Sequence, residues 1–600
     1  IYNNWAYEKY PEWRMKNIDG LGSRDVESAS NNPKNFGFIS KRYGLCCPNS
    51  SNYREFIKKQ LTELIDNYIF EGFFIDMSFW PMICYCDSCK KLYKSETGDN
   101  IPEFVDWSDK NWVNFYNKRI DWINKYANFV TEFIKKKNIN LTVEHQFASA
   151  TFPWLFGITD EFTKYSDYSG GDLYGGLLEQ SFVCKLYRNL TALEPFEFMT
   201  SAHVSLNDQT TIKTEELLKI HNYIALSHNG AFLFINAINP NGDINKLVYK
   251  RMGKIFSESK KFEQYLGGNL LSDVGIYYSF NSKMNLSVNK QRALHIWTDF
   301  FEMPHLLSAL GAARVFKENN ILFDIISKKQ LSNLSKFKIV VFPEIQIFDE
   351  DEKSKIFDYV ASGGHAYFSG KKSAEIFTDL FNIKLSGNTK EYITFISLSK
   401  KGSKLLKKIG ELFPVLIKGE QVKAKSNNLD EILGQLALPY NDPSDTKKFS
   451  TIHSNPPGET TNFASIIMRK YGKGKIIWIS FPIEKENEYV QKKVFLNLID
   501  LLKKEEYLIK TNLPPVVEIT VFEQRKNNCF IINMVNQQEI IPIIKIYDFY
   551  IKLKIGNKKV LCVLELPNKN SIPYTVEDGY IKINIEILDF YKMISVMFEN

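Results

Sequence analysis

The stretch from residue 72 to 93, GFFIDMSFWPMICYCDSCKKLY, carries the side chains best suited to chemistry. It opens with an apolar run that ends on a carboxylate, Asp76, and it continues into a cluster of cysteines. A short apolar run bounded by Gly72 is typical of a strand buried on both faces of a parallel sheet. Reactive side chains gather at the carboxyl ends of such strands. Asp76 is therefore predicted to be functional; the alternative is that it only caps the next turn.

The cysteines have the spacing of a metal site. Cys84, Cys86 and Cys89 form half of such a site, and Cys46 or Cys47 could supply a fourth thiolate. We predict a structural zinc ion held by Cys47, Cys84, Cys86 and Cys89, which would not catalyse because four thiolates leave no open coordination position. The alternative is free thiols in a reducing cytosol. The other cysteines are isolated, which indicates no disulfide framework and favours a cytoplasmic location.

Length and composition exclude several classes of protein. A chain of 600 residues is too long for one core, so two to four domains are expected. The net charge of +7 is spread thinly over that length, which argues against a nucleic-acid partner. No apolar run reaches the roughly 18 residues of a membrane span, so no membrane partner is expected. No cofactor is required for the chemistry considered below.

The first 268 residues alternate between strand-like and helix-like segments. This many β-then-α units favour a (β/α)8 TIM barrel, with an open doubly wound sheet as the competing architecture. The chain begins without Met, in IYNNW, which is predicted to be a strand end. About two barrel strands are therefore expected to precede residue 1, and a signal peptide ahead of it is left open.

Strand parity predicts which side chains point into the barrel, because alternate residues face opposite ways. It turns Asp76, Glu144, Glu197 and Asn236 inward, while Asp167 and Asp172 are expected in a glycine-rich turn after another strand. Carboxylates and amides between aromatic walls suit a carbohydrate, whose hydroxyls need polar partners and whose apolar faces rest on rings. The alternative is that these acids are caps and ion-pair partners. The predicted substrate-binding residues are Trp5, Trp80, His145, Gln146, Asp172, Tyr174, Glu197 and Asn236.

Two further domains are predicted after the barrel. Residues 269–508 show an α/β pattern, with strands at 273–279 and 338–346 and a helix at 350–361, that suggests a flavodoxin-like sheet. Residues 385–460 are predicted to be an excursion from it. Residues 509–600 contain short alternating runs typical of an antiparallel β-sandwich. The segment 295–316 is predicted to be a helix with too many large apolar residues for a solvated face. It is expected to pack within its own domain or in a homo-oligomer, a trimer or dimer.

Linked motifs carry a family resemblance: YNNWAYEKYPEW, FFID with CYCDSCKKLYKSETGDNIP, SDYSGGDLYGG, and PFEFMTSAHVSLNDQTTIKTEELL with HNGAFLFINAINPNGDIN. They resemble the group called hypothetical glycosyl hydrolase 6, which includes the α-L-fucosidases of glycoside hydrolase family 151. The domain layout is similar to that of family 42 β-galactosidases, which often carry a four-cysteine zinc site. Those enzymes have catalytic Glu residues on the fourth and seventh barrel strands, where this chain has Asp76 and Phe198–Met199–Thr200.

The resemblance implies a retaining exo-glycoside hydrolase, α-L-fucosidase-like, that acts on the terminal sugar of oligosaccharides or glycans. Asp76 would be the nucleophile, as in family 29 fucosidases, and Glu144 is the first candidate for acid/base, with Asp172 and Glu197 in reserve. The group's pattern has Asp at Asn236, and an Arg and a His near Ala202 and Gln209. These departures imply altered specificity or little activity. The alternatives are a β-galactosidase-like or other glycosidase of the same layout, or an impaired carbohydrate-binding homologue.

Overall fold

The computed structural model describes residues 1–25, 43–205, 208, 210–293, 302–407, 409 and 413–599. Within these ranges no helix combines the length and the apolar character that crossing a membrane requires. The α-helices are α1 Asn4–Lys9, α2 Ser51–Asn67, α3 Asp87–Thr97, α4 Lys110–Lys137, α5 Leu177–Arg188, α6 Glu215–Ser227, α7 Lys246–Ser259, α8 Pro304–Glu318, α9 Glu350–Ala361, α10 Gly370–Ile376, α11 Thr378–Phe381, α12 Lys400–Leu405 and α13 Tyr489–Leu502.

The first region contains parallel strands that alternate with helices. Its strands are β1 Gly72–Ile75, β2 Thr142–His145, β3 Gly170–Asp172, β4 Glu197–Ser201 and β5 Ala231–Ile235. β1 pairs with β2, and β3, β4 and β5 pair in sequence order. The backbone N–H of Phe147 donates to the carbonyl of Gly170 at 2.7 Å, so β2 and β3 also meet. The carboxyl ends of all five strands therefore lie at one edge.

The helices of this region begin where the sequence supplies a cap. Ser50 accepts a hydrogen bond from the backbone N–H of Tyr53 at the start of α2, and Asp109 accepts one from Asn111 at the start of α4. α4 buries a stripe of large side chains that includes Trp112 and Trp122. Such a stripe at helical spacing holds the helix against the sheet.

Two local expectations are wrong. The segment IYNNW is helical from Asn4, because Asn3 caps the helix by accepting the N–H of Ala6 at 2.8 Å. The glycine-rich stretch expected to be a turn contains strand β3, since Gly170 and Asp172 pair with Glu197 and Met199 on β4. In the first segment a local cap outweighs the strand preference of the residues, and in the second pairing with β4 outweighs their preference for a turn.

The second region is built on an 11-stranded sheet. Five parallel strands, β6 Val274–Tyr277, β7 Phe323–Ile326, β8 Ile339–Phe342, β9 His365–Ser369 and β16 Gly474–Ile479, lie in the order β7-β6-β8-β9-β16. This is the flavodoxin-like order 2-1-3-4-5. Between β9 and β16 the chain forms an antiparallel excursion of six strands: β10 Ile383–Asn388, β11 Ile393–Leu398, β12 Val415–Lys418, β13 Val422–Ser426, β14 Ile432–Pro439 and β15 Pro457–Tyr471.

The predicted helix at 295–316 is present in part. Residues 294–301 lie outside the described residues, and α8 begins at Pro304. Its small residues pack inside the chain: a Cβ on Gly311 would lie 2.2 Å from the carbonyl oxygen of Glu484. Much of this helix is therefore buried within its own chain.

The third region is a sandwich of two antiparallel sheets. Its strands are β17 Ile509–Thr511, β18 Val517–Gln524, β19 Cys529–Asn536, β20 Ile546–Lys554, β21 Val560–Leu566, β22 Tyr574–Glu577, β23 Tyr580–Leu588 and β24 Tyr591–Phe598. One sheet has the order β17-β20-β23-β22, and the other contains β21-β24-β19-β18. Residues 269–270 pair with the edge of β18, so the segment leaving the barrel joins this sheet.

Candidate active site

Three polar side chains form an upper layer at the carboxyl ends of the barrel strands. Asp76 follows β1, Gln146 follows β2, and Asp172 ends β3. Gln146 bridges the other two positions: its Oε1 accepts the backbone N–H of Met77 at 2.9 Å, and its Nε2 donates to Asp172 Oδ1 at 2.5 Å. Gln146 thus links the backbone beside Asp76 to the carboxylate of Asp172.

The two carboxyls of the upper layer differ in exposure. Asp76 is exposed, whereas Asp172 is 8% exposed and accepts a hydrogen bond from the Tyr174 hydroxyl. Desolvation by the surrounding protein raises the pKa of both carboxyls, and the charge of Asp172 raises the pKa of Asp76 further. Hydrogen bonds from Tyr174 and Gln146 oppose the rise at Asp172. Of the two carboxyls, Asp172 is the more deeply buried and Asp76 the more accessible. Tyr174, at 39% exposed, offers part of its ring to the solvent side.

A second pair of carboxyls lies one layer deeper. Glu144 is opposite Phe74 in the register of β1 and β2, and Glu197 is opposite Gly170 in that of β3 and β4. The two carboxyls are hydrogen-bonded to each other, and Tyr168 donates to Glu144. Burial, the hydrogen bond to Glu197 and its charge together raise the pKa of Glu144 to about 9. This lower layer therefore holds a proton at neutral pH.

Gly170 makes the lower pair possible. A Cβ at this position would lie 2.0 Å from Glu144 Oε1 and 2.8 Å from the Cβ of Glu197. No side chain fits there, so the glycine gives the two carboxyls room to approach. The sequence analysis assigned no role to Gly170; the signal available was a Gly-Gly pair directly before an acidic residue.

A histidine that the sequence analysis did not propose lies at the ends of β4 and β5. His203 Nε2 lies 2.7 Å from Asn236 Oδ1, and the Nδ1 atom of His203 has no hydrogen-bond partner among the described residues. The resemblance implied an Arg and a His near Ala202 and Gln209, and His203 is the residue that follows Ala202. Gln209, the other position discussed there, lies outside the described residues.

Two of the predicted sugar contacts, His145 and Trp80, are buried in the core, and Trp5 lies on α1. His145 is 1% exposed and faces the helix layer, where its Nε2 lies 2.9 Å from Thr131 Oγ1, so strand parity excludes it from the barrel interior. Trp80 is 1% exposed and donates from Nε1 to the carbonyl of Arg119 at 2.8 Å, which makes it a core residue. Trp5 is 53% exposed but stacks on Phe56 of α2, at 5.5 Å between ring centroids.

The four predicted metal ligands are brought together. The sulfur atoms of Cys47, Cys84, Cys86 and Cys89 lie within 4.8 Å of one another, and all four residues are buried. A tetrahedral zinc ion with bonds of about 2.3 Å places its sulfurs about 3.8 Å apart. Cys47 Sγ and Cys89 Sγ are 3.5 Å apart, so this donor set fits the ion. Cys86 caps α3, which ties the cluster to a helix.

Comparisons with known proteins show that the chain is similar in sequence and fold to sugar-cleaving enzymes. No family model matches the chain. β-Galactosidase LacA of Lactobacillus acidophilus is 22% identical over 609 residues, which cover 90% of this chain and 83% of the relative. The solved structure of α-L-fucosidase isoenzyme 2 from Paenibacillus thiaminolyticus matches with a TM-score of 0.75 at 17% identity, over 99% of this chain and 86% of that one.

A β-galactosidase from Bacillus circulans sp. alkalophilus matches with a TM-score of 0.67 at 15% identity, over 99% of this chain and 87% of its own. The chain has the fold of these TIM-barrel glycosidases. The predicted fold class, with its TIM barrel, flavodoxin-like sheet and C-terminal β-sandwich, is confirmed.

Proposed function

We propose that this protein is a retaining exo-glycoside hydrolase that removes a terminal sugar from oligosaccharides or glycans. The observation that carries the proposal is the pair Asp76 and Asp172, on the two barrel strands that flank β2 and linked through Gln146 at its end. Hydrolysis with retention needs one carboxylate to attack and one carboxyl to donate a proton. Similarity to a β-galactosidase along nine-tenths of the chain supports the same class.

In this proposal Asp76 is the nucleophile and Asp172 is the acid/base. Asp76 is the exposed carboxyl at the strand end, and Asp172 is the buried carboxyl beside it, whose pKa burial raises above its ordinary value. Glu144, the first candidate from the sequence, is 1% exposed and lies a layer below Asp76. For a substrate bound above Asp76, the oxygen of the leaving group would be nearer to Asp172 than to Glu144. Glu144 and Glu197 then form the floor of the site.

The sugar we propose is an α-L-fucoside. An aspartate rather than a glutamate ends β1, and β4 ends in Thr200 and Ser201 without an acidic residue, which disfavours the β-galactosidase arrangement of two glutamates. The second candidate is a β-galactoside, which the sequence relatives favour. Release of p-nitrophenol from aryl α-L-fucoside, β-D-galactoside and α-L-arabinoside decides between them. Sugar binding without turnover of any of the three would instead indicate a catalytically impaired carbohydrate-binding protein.

Replacement of the nucleophile tests the mechanism. Asp76→Asn keeps the shape but removes the attacking charge, so kcat/KM should fall by at least about a thousandfold, or roughly 4 kcal/mol of transition-state stabilisation. Asp121→Asn, an exposed position on α4, is the matched control and should retain wild-type activity. Asp76→Asn activity above about a tenth of wild type would contradict the assignment, since a tenfold loss is only about 1.4 kcal/mol.

Two further variants distinguish the acid/base candidates. Loss of the acid/base spares substrates whose leaving group needs no proton, and azide then gives a glycosyl azide of retained configuration. We expect this behaviour from Asp172→Asn and only a moderate loss from Glu144→Gln. If the two variants exchange these phenotypes, Glu144 is the acid/base.

We also propose that the four-cysteine cluster holds a structural zinc ion in a reducing compartment, the cytoplasm. The four buried sulfurs provide a closed donor set, and all eight cysteines carry free thiols in the structure. Zinc would fix the loop between β1 and α3 and would take no part in bond cleavage. Metal analysis of freshly purified protein tests the ion directly.

The proposed assembly is a homo-oligomer, a trimer or dimer. Support comes from large apolar side chains exposed on the antiparallel excursion of the second region, where Tyr392 is 72%, Phe449 60% and Ile452 82% exposed. Exposed apolar groups of this size are typical of contact surfaces. Light scattering of the full chain at micromolar concentration should give a multiple of 69.7 kDa, and a single-chain mass would contradict the proposal.

A further inference from the structure

A basic cavity lies where the flavodoxin-like sheet meets the sandwich, away from the barrel carboxyls. Its volume is about 240 Å³. The walls come from the amino ends of the neighbouring strands β6, β8 and β9, from the segment 503–508 between α13 and β17, and from the end of β20. All of the lining residues follow position 271.

Positive charge dominates the rim of this cavity. Five lysines line it: Lys336, Lys338, Lys503, Lys504 and Lys554. Its two glutamates are already engaged with lysines, Glu505 with Lys554 at 2.9 Å and Glu506 with Lys510 at 3.3 Å. In contrast, Lys336, Lys338 and Lys504 make no ion pair with any described residue. Three cationic side chains are therefore available at the mouth.

The cavity also contains a buried hydrogen-bond donor that lacks an acceptor. His365, the first residue of β9, is 2% exposed, and its Nδ1 accepts the backbone N–H of Lys475 at 3.0 Å. The proton of a neutral ring must then be on Nε2, which has no partner among the described residues. Burial and the charges of Lys504, Lys475 and Lys338 lower the pKa of His365 to about 4, so the ring is neutral at pH 7.

A second unpartnered polar atom faces the same space. Oδ2 of Asp273 is buried without a hydrogen-bond partner among the described residues, while its Oδ1 accepts the backbone N–H of Leu508 at 3.0 Å. Burial raises the pKa of Asp273 to about 7. In its protonated form this carboxyl is a second donor to an anion, and in its ionised form it opposes one.

We propose that this cavity binds a phosphate-type dianion, either inorganic phosphate or the phosphate group of a small monoester. The Nε2–H of His365 would donate to an oxygen of the anion, and Lys338 and Lys504 would supply the charge. A volume of 240 Å³ equals about eight water molecules, which suits a phosphate or a small ester. The bound anion would join the segments on either side of the sheet and sandwich.

Calorimetric titration of inorganic phosphate into the full chain tests the site at constant ionic strength in chloride. We expect saturable binding at a single site and a higher Tm in phosphate than in chloride. Lys338→Gln/Lys504→Gln should weaken binding at least about tenfold, since each charge-assisted contact contributes roughly that factor. Lys59→Gln/Lys526→Gln removes the same charge at exposed positions elsewhere and should bind phosphate as the wild type does.

Variants of His365 and Asp273 distinguish binding to specific side chains from general electrostatic attraction of the anion. His365→Gln keeps an acceptor for Lys475 and a donor for the anion, so it should bind, whereas His365→Leu should not. Asp273→Asn should bind more tightly than wild type at pH 8, because it removes the opposing charge. Glycerol 3-phosphate identifies the source: tighter binding than inorganic phosphate indicates an ester, and equal or weaker binding indicates the free ion.

Two results would overturn the proposal. One is the absence of saturable phosphate binding to folded wild-type protein. The other is equal weakening by the cavity pair and the control pair of lysines, which would mean that the net charge of the chain, and not this cavity, attracts the anion. The lysine variants change only exposed side chains, so loss of folding should not obscure either result.

Discussion

Glu144 and Glu197 show how a single missing side chain sets the chemistry of its neighbours. Because Gly170 has no Cβ, two carboxyls meet at hydrogen-bonding distance in a buried layer. Two like charges at this separation cannot both be ionised, so one proton stays with the pair. The shared proton beneath Asp76 and Asp172 therefore depends on Gly170, a residue without a functional group.

The stability of the protein should therefore fall in alkaline solution through this pair. The folded-state pKa of Glu144, at about 9, lies above its unfolded value, so its contribution is full in acid and is lost as the pH rises toward 9. Glu144→Gln keeps a donor to Glu197 but removes the titration. We expect its unfolding temperature to decline less than that of the wild type between pH 6 and about 9.

The exposed Glu459→Gln is the control, and its pH profile should follow that of the wild type. Thermal unfolding at several pH values measures all three proteins. Parallel profiles for wild type and Glu144→Gln would mean that Glu144 does not hold the proton.

Some residues of the site could be predicted from the sequence, and each wrong prediction has a specific structural reason. Strand parity correctly turned Glu144 inward, and the same parity turns His145 outward. Trp80 was misjudged because its burial depends on the carbonyl of Arg119, which lies 39 residues further along the chain. The closeness of Trp80 to Asp76 in the sequence could not reveal this contact.

At the scale of elements, hydrophobic periodicity located most helices and strands to within a few residues. The predicted helix at 350–361 is Glu350–Ala361, because Asp349 and Glu352 form a capping box that sequence alone reveals. The excursion at 385–460 contains six strands whose pairing could not be derived. Strands β13 and β15, for example, pair through one pair of residues. Pairing this limited is determined by the rest of the sheet and not by the sequences of the two strands.

The cysteine loop and α3 should depend on each other for stability. Cys89→Ser removes one of four ligands and leaves three buried thiols beside an incomplete site, so the protein should lose bound zinc and several degrees of Tm. Turnover per folded molecule should change little, since a closed four-thiolate site has no open position for substrate. Cys562→Ser, at an isolated and half-buried position, is the control and should keep both metal and Tm. Wild-type protein that is purified without zinc would contradict this prediction.

The barrel and the sandwich are joined by a buried charged network. Lys185 on α5 donates to Glu518 on β18 at 2.5 Å, and its Nζ also lies 2.7 Å from His228 Nε2. These groups are at most 3% exposed. Glu518 also accepts hydrogen bonds from Ser181 and Gln537. A pair 333 residues apart in sequence has no local signature, so this contact between barrel and sandwich could not be predicted.

This network should make the barrel and the sandwich unfold together. Burial alone would raise the pKa of Glu518, but Lys185 and His228 lower it well below the ordinary value. Its folded pKa is therefore below the unfolded one, so its contribution is present at neutral pH and is lost as the pH falls below about 4.

Glu518→Ala leaves Lys185 buried without its partner, and such losses cost about 3–5 kcal/mol. We expect the single calorimetric transition of the wild type to shift down by several degrees or to split into two. Lys185→Met/Glu518→Met replaces both charges with apolar side chains and should restore most of the Tm, because the burial penalty disappears together with the attraction. Glu488→Ala, which breaks an exposed pair with Lys418, should leave the transition unchanged. A Glu518→Ala transition at the wild-type temperature would show that apolar packing alone joins the two regions.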